Sequence, residues 1–486
     1  METTRSDPQR GAQLARDFLK QYPDQKGAAG GVIAQAGMDH HDEDLLHEAV
    51  TLLREATTEH PEHNNGWYNL GNALQALSEV NGTKDPEKYL ATIDQRRESR
   101  IAFITAGNIS EPRTIATQAL TNLANFLDHS GRWVEAITVY KQALSVERTN
   151  GAAAGNLAVL LVVRARFRPR QREQLVALAS HYARIERDNR DKSIAYMGAQ
   201  AAARFDRLPI DRPKSPVTEP SDSYSRWVAD NDLALSLAAQ GIPSGPRWDD
   251  LQIGSISEPV EAPHAVPALF AMANVLKQDF LFARRLAYDA IHTAHAADSA
   301  KYADTLDYAL YGRLPAALTL AQRAALDLLD RIAVMCNDYL KTPLDPKKVG
   351  FRTYWTTGAS GKRRWRSEVR EELVAGNRNL MALVDLAADL ENGGYLSSYP
   401  ELRHTGTHRF MVLHDETIGT SASSKAVDHM QITDYQRELV TTLKISRAAL
   451  LYAIELVNER EHRESHTDGY RVHLDVPDHH DIRGMP

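Results

Sequence analysis

At 486 residues, with 43% hydrophobic and 25% charged side chains, the chain is long enough for two or three domains with cores of their own, and its composition is not that of a disordered protein. A net charge of −7, from 57 basic against 64 acidic residues, excludes a surface coated in positive potential, so any nucleic-acid site must be local. One cysteine, Cys336, allows neither a disulfide framework nor a Cys-based metal centre.

The chain starts METTRSDPQRGAQ, polar and without the apolar core of a secretory signal. Its longest apolar run, Leu157 to Val163, falls far short of the roughly 20 residues a membrane span requires. The expectation is a soluble cytoplasmic protein with no membrane partner. After an N-terminal helical cap over residues 1–29, the pattern becomes periodic. In NNGWYNLGNALQAL, the series Trp67, Leu70, Gly71 and Leu74 is that of a first repeat helix whose small residue admits a close neighbour, and Ala49, Leu53, Ala56 and Pro61 upstream give the matching second helix. A better unit follows with Leu120, Leu123, Ala124, Leu127, Gly131, Ala136, Tyr140 and Ala143, and the next starts on schedule at Ala154, Leu157, Ala158 and Leu161. Between them, Ser99, Phe103 and Ala106 form a helix displaced by an insertion around VNGTKDPEKY. These spacings resemble tetratricopeptide repeats over about residues 30 to 190, which implies a helical solenoid over 30–204 with a concave face for a protein or peptide ligand.

Pro209, Pro213, Pro216 and Pro220 then forbid a regular helix, so residues 205–263 read as a Pro-rich linker and connector. From 264 to 465, four long segments carry apolar residues at three- and four-residue intervals: AVPALFAMANVLKQDFLFARRLAYDAIHTA, LPAALTLAQRAALDLLDRIAVMCNDYLK, SEVREELVAGNRNLMALVDLAADLEN and ITDYQRELVTTLKISRAALLYAIELVNEREH. They predict an α-helical bundle, followed by a tail over 466–486. Cys336 lies on the apolar stripe of the second segment, where it suits a small buried hydrophobe better than a reactive thiol. Asn337 and Asp338, just after it, would serve either to orient a catalytic segment or to cap the helix; Asn377 and Asn379 are equally ambiguous.

Between the third and fourth segments stands RHTGTH, with Arg403, His404 and His408 within six positions. On a continuous helix Arg403 and His408 would point about 140° apart, so a helix end or turn suits them better, and Gly406 permits one. An arginine with a histidine suits RNA phosphodiester cleavage: an imidazole can accept or donate a proton near neutrality, and a guanidinium matches the phosphoryl oxygens. One such motif has too few proton-transfer groups for both attack and departure, and a symmetric dimer would supply two copies. The other readings are a solvated loop, or a zinc site on His404 and His408 with His414 or Asp415 as third ligand.

Upstream, Lys362, Arg363, Arg364 and Arg366 surround Trp365, a combination of phosphate-pairing cations and a stacking aromatic that is a candidate RNA contact, or else a basic helix start. A second basic run comprises Arg164, Arg166, Arg168, Arg170 and Arg172, facing either RNA or an acidic protein surface. The histidines His40, His41 and His47, and His479 and His480, read as solvated polar segments.

The bundle with an arginine, a polar residue and a histidine before its last helix resembles the HEPN superfamily of RNases, and LDLLDRIAVMCNDYLK, FRTYW, NRNLMALVDLAADL, LRHTGTHRFMVLHD, RWVADNDLALSL and RWDDLQI resemble its LA2681-like branch, which carries tetratricopeptide-like repeats N-terminally. The resemblance covers about residues 220 to 460. It implies an all-α fold and a homodimeric endoribonuclease that needs no metal or other cofactor, acting in antiviral defence or a toxin system. It implies Arg403 and His408 as catalytic residues, with His404 at a second position that is more often asparagine. A non-catalytic scaffold dimerising through its bundle is the competing expectation.

Overall fold

The computed structural model describes residues 7–80, 85–168, 171–210, 222–237, 249–258, 266–293, 300–358, 363–399, 409–415, 424–464 and 470–474. The protein is all-α with a few short strands, and it packs as two units. The first comprises Met1–Ser215 with the short pieces Ser360–Arg364 and Asn392–Tyr395; the second comprises Pro216–Ala359, Trp365–Glu391 and Leu396–Pro486.

In the first unit the helices are α1 (Pro8–Gln21), α2 (Lys26–His40), α3 (Glu43–Glu59), α4 (Asn64–Val80), α5 (Pro86–Ala91), α6 (Ile93–Asn108), α7 (Arg113–His129), α8 (Trp133–Val146), α9 (Gly151–Arg166), α10 (Arg172–Asp188), α11 (Arg190–Met197) and α12 (Ala199–Ala202). Consecutive helices pack as antiparallel pairs, each burying one apolar stripe on its neighbours. Leu70 and Leu74 on α4 are almost wholly buried, as are Phe103 and Ala106 on α6. A Cβ added at Gly71 would lie 2.6 Å from the Phe103 ring, so the glycine is what lets α4 and α6 meet. The insertion between them contributes the six-residue α5. Asn150 shows how a polar residue fastens two repeats. Its side-chain oxygen caps α9 by accepting from the Ala153 N–H, while its amide donates to Thr117 and Thr121 on α7 at 2.9 and 3.0 Å.

The second unit contains α13 (Ser223–Asp230), α14 (Ala268–His292), α15 (Arg313–Tyr339), α16 (Ser367–Val374), α17 (Arg378–Asp389) and the 32-residue α18 (Ile432–Arg463). Its core lies where α15 and α17 pack on α18, with Leu383, Leu386, Leu439, Leu443, Leu450 and Leu456 fully buried. Each such leucine contributes about 1.5–3 kcal/mol on burial. The third apolar segment is two helices rather than the single helix its stripe predicts. Gly376, at φ +88°, terminates α16, and Asn377 starts α17 by accepting from the N–H groups of Asn379 and Leu380. The Asn377 amide also donates to the Leu456 carbonyl, and that of Asn379 to Glu459, which locks the break onto α18.

The connector is fastened to this bundle. Arg284 on α14 forms two parallel hydrogen bonds to the Asp249 carboxylate, at 2.9 and 2.8 Å, and donates further to Tyr224 and to the Leu233 carbonyl. Burial alone would raise the Asp249 pKa; hydrogen bonds and charge from Arg284 hold it below the usual carboxylate range. Strand β1 (Ile256–Glu258) pairs antiparallel with the last described strand, β5 (Tyr470–Val472). Among the described residues no helix is long and apolar enough to cross a membrane.

Candidate functional site

Arg403, His404 and His408 lie outside the described residues, so only the frame on either side of RHTGTH is seen. Before it, Tyr399 is fixed through its hydroxyl to Glu438 on α18; burial, then this carboxylate, raises the phenol pKa. After it, Arg409 pairs with Asp428, and the chain enters strand β3 (Phe410–His414). This strand is the middle of a three-stranded sheet. It runs antiparallel to β2 (Ala309–Leu310), with Ala309 opposite His414, and parallel to β4 (Val427–Gln431), with Val412 opposite His429. Strand β2 leads into α15 and β4 directly into α18, so the segment leaving the motif is tied to the starts of both central helices. Apolar side chains stand exposed around this sheet: Leu306, Tyr308, Tyr311 and Phe410, the last at 70% exposure.

The basic cluster upstream divides. Lys362 lies outside the described residues, and Arg364 is exposed. Trp365 is only 6% exposed, which corrects its expected role: a ring buried to that extent offers no face on which a base could stack. Arg366 is half-buried and donates to the Tyr354 carbonyl, and Arg363 also has contacts within the chain. Among the described residues of this cluster, Arg364 is the side chain that stands exposed.

In the second basic run, Arg164 is 9% exposed and stacks over Trp133, 5.0 Å from the ring centroid, so it packs its repeat against the preceding one. Arg170 lies outside the described residues, as do His479 and His480. Asn337 and Asp338 resolve as a helix end. The Asn337 amide donates to the Leu344 carbonyl, and the N–H groups of Lys341 and Thr342 bond back to Asp338 and Asn337. Cys336 is buried, and burial pushes its thiol pKa up to about 12, which keeps it neutral and inert.

A third histidine ahead of the last helix, His414, joins groups that sequence spacing did not unite. It is 4% exposed, its Nδ1 lies 2.8 Å from the Asp307 carbonyl, and its Nε2 lies 2.8 Å from Nδ1 of His429. Asp415, the next residue, donates its backbone N–H to the Tyr308 carbonyl.

In the first unit a cleft of about 580 Å³ is lined by Met38, His41, Asn72, Gln75, Glu79 and Asn122, among others. Two of its amides are linked, Asn122 donating to Asn72 at 2.8 Å, and a third, Asn125, accepts from Asn156 behind it at 2.7 Å.

Compared with known proteins, residues 260–460 match the LA2681-like HEPN family, and the repeat unit lies outside the matched stretch. No curated protein matches the chain.

Proposed function

Since residues 260–460 form a domain of the LA2681-like HEPN family, whose members point to nuclease-like, RNA-related work, we propose that the protein is a homodimeric endoribonuclease requiring no metal for the chemical step. The observation that supports this most is the place of the matched domain's Arg-x4-His motif, between a segment fixed on α18 and a strand whose sheet starts both α15 and α18. Such a frame fixes both flanks of the motif, and a second copy would bring the second arginine and histidine that the reaction needs.

In the proposed reaction, one His408 takes the proton of an RNA 2′-hydroxyl as its oxygen attacks phosphorus. The bond from phosphorus to the 5′-oxygen breaks, and the His408 of the second copy, protonated beforehand, gives its proton to the leaving oxygen. Arg403 of each copy stabilises the charge that accumulates on the phosphorane. The products are a 2′,3′-cyclic phosphate and a free 5′-hydroxyl. His404 positions the motif. The exposed apolar side chains around the sheet are the surface offered to the second copy. The repeat unit regulates the nuclease, in antiviral defence or a toxin system, by taking an extended peptide along its amide-lined cleft.

The test is to incubate the purified chain with total RNA while Mg²⁺ is withheld and to map both new ends. Cyclic phosphates at 3′ ends and hydroxyls at 5′ ends support the reading; 3′-hydroxyl and 5′-phosphate ends, or cleavage that requires Mg²⁺, overturn it. Sedimentation should give a mass of two chains.

A further inference from the structure

The geometry points to a zinc site formed by the Asp307 carboxylate, Nε2 of His414 and Nδ1 of His429, at the junction where β2, β3 and β4 feed the two central helices. The ligand atoms of the three side chains all lie within 4.8 Å of one another, although they come from segments 107 and 15 residues apart.

Three features make this a prepared site. First, His414 has its proton placed. A carbonyl can only accept, so the 2.8 Å contact from His414 Nδ1 to the Asp307 carbonyl requires the N–H there, and the neutral ring is left with its lone pair on Nε2, aimed at His429. A histidine that donates one N–H to a backbone carbonyl and presents the other nitrogen is oriented as metal-ligating histidines are.

Second, the backbone around Asp307 is held in a costly conformation. Leu306 and Tyr308 on either side both adopt left-handed φ, 56° and 54°, which β-carbon-bearing residues rarely do, and in consequence Asp307 presents both its carbonyl and its carboxylate to the histidine pair. The Asp307 carboxylate is held in place by the Thr305 hydroxyl and, at 3.3 Å, by the Ala309 N–H, both of which donate to it.

Third, the burial is graded. His414 is buried, Asp307 half-buried and His429 exposed, so the site has a fixed floor and an open side where water can complete a four-coordinate shell.

The change needed to bind is small. Two nitrogens on one tetrahedral zinc stand about 3.3 Å apart, against 2.8 Å here. The exposed His429 ring must therefore swing out by about half an ångström and carry its proton on Nε2. Two imidazoles and one carboxylate suit zinc better than the hard cations Mg²⁺ or Ca²⁺. Bound there, the ion would cross-link the strand leaving RHTGTH to the starts of α15 and α18. It takes no part in the proposed cleavage, and its presence does not depend on that reading. The other cluster of this kind among the described residues, His60, Glu62 and His63, is wholly exposed and spans four residues, with none of these features.

The experiment uses the full chain, stripped with a chelator and exchanged into chelator-free buffer, and titrated with ZnCl₂ by calorimetry. One equivalent should bind, raise the melting temperature, and give the visible absorption of a four-coordinate site when Co²⁺ replaces it. His429→Ala, a change at an exposed position, should keep the far-ultraviolet spectrum of the wild type yet weaken zinc binding by at least about 100-fold, and Asp307→Asn should weaken it too. His63→Ala should bind as the wild type does. No zinc binding, or zinc binding that survives His429→Ala, overturns the proposal and leaves His414 and His429 as a hydrogen-bonded pair only.

Discussion

Asp249→Asn removes one charge and one half of a bidentate pair without changing side-chain volume. Arg284 is only 4% exposed, so it keeps a charge that water cannot solvate. Breaking a buried pair from one side costs about 3–5 kcal/mol, and because a quarter of the Asp249 side chain is open to solvent the lower end, about 3 kcal/mol, is expected. The pH dependence follows from the lowered folded-state pKa of Asp249. In the unfolded chain the carboxyl titrates near about 3.9, so the pair's contribution is fully present above that pH and is lost as pH falls through the lower folded value. The assay is hydrogen exchange read over residues 223–237, 249–258 and 268–292, with urea denaturation, at pH 7 and at pH 3. Asp249→Asn should expose the connector amides at pH 7, and the gap from wild type should narrow at pH 3. Equal exchange in both proteins at pH 7, or a gap that widens with acid, would refute the reasoning.

Two further predictions concern packing. Gly71→Ala gains up to about 1 kcal/mol of helix propensity but drives its Cβ into Phe103, which is fully buried and has no room to retreat. A net loss of about 1–2 kcal/mol is expected, measurable as a lower urea midpoint for the first unit; a midpoint equal to or above the wild type would contradict it. Cys336, with its thiol pKa raised to about 12, should not react with a disulfide reagent at pH 8 in the native protein and should react fully in guanidinium, as counted by the released chromophore.

The repeats were legible because their signal is local. Trp67, Leu70, Gly71 and Leu74 stand within eight residues, and the close approach that Gly71 allows is the one its spacing predicts. The bundle helices were legible for the same reason, apart from the break at Gly376. There the apolar stripe continues across AGN almost in phase, so periodicity hid what the glycine and the capping asparagine together signal. The burial of Trp365 was not legible, since an aromatic among arginines looks the same in sequence whether its ring faces water or the interior. Least legible was the grouping of Asp307, His414 and His429. It depends on a parallel pairing of β3 with β4 and on an edge strand two residues long, neither of which leaves a periodic trace. RHTGTH itself stood out by composition, and its flanks are fixed by long-range contacts, Tyr399 to Glu438 and Arg409 to Asp428, that no local pattern reveals.

The most direct test of the account is RNA cleavage by Arg403→Ala and His408→Ala proteins, each shown to keep the wild-type helical content and the mass of two chains. Loss of the phosphorane-stabilising cation or of the proton-transfer group should each lower the cleavage rate by at least about 100-fold. Folded, dimeric variants that cut RNA at the wild-type rate would contradict it.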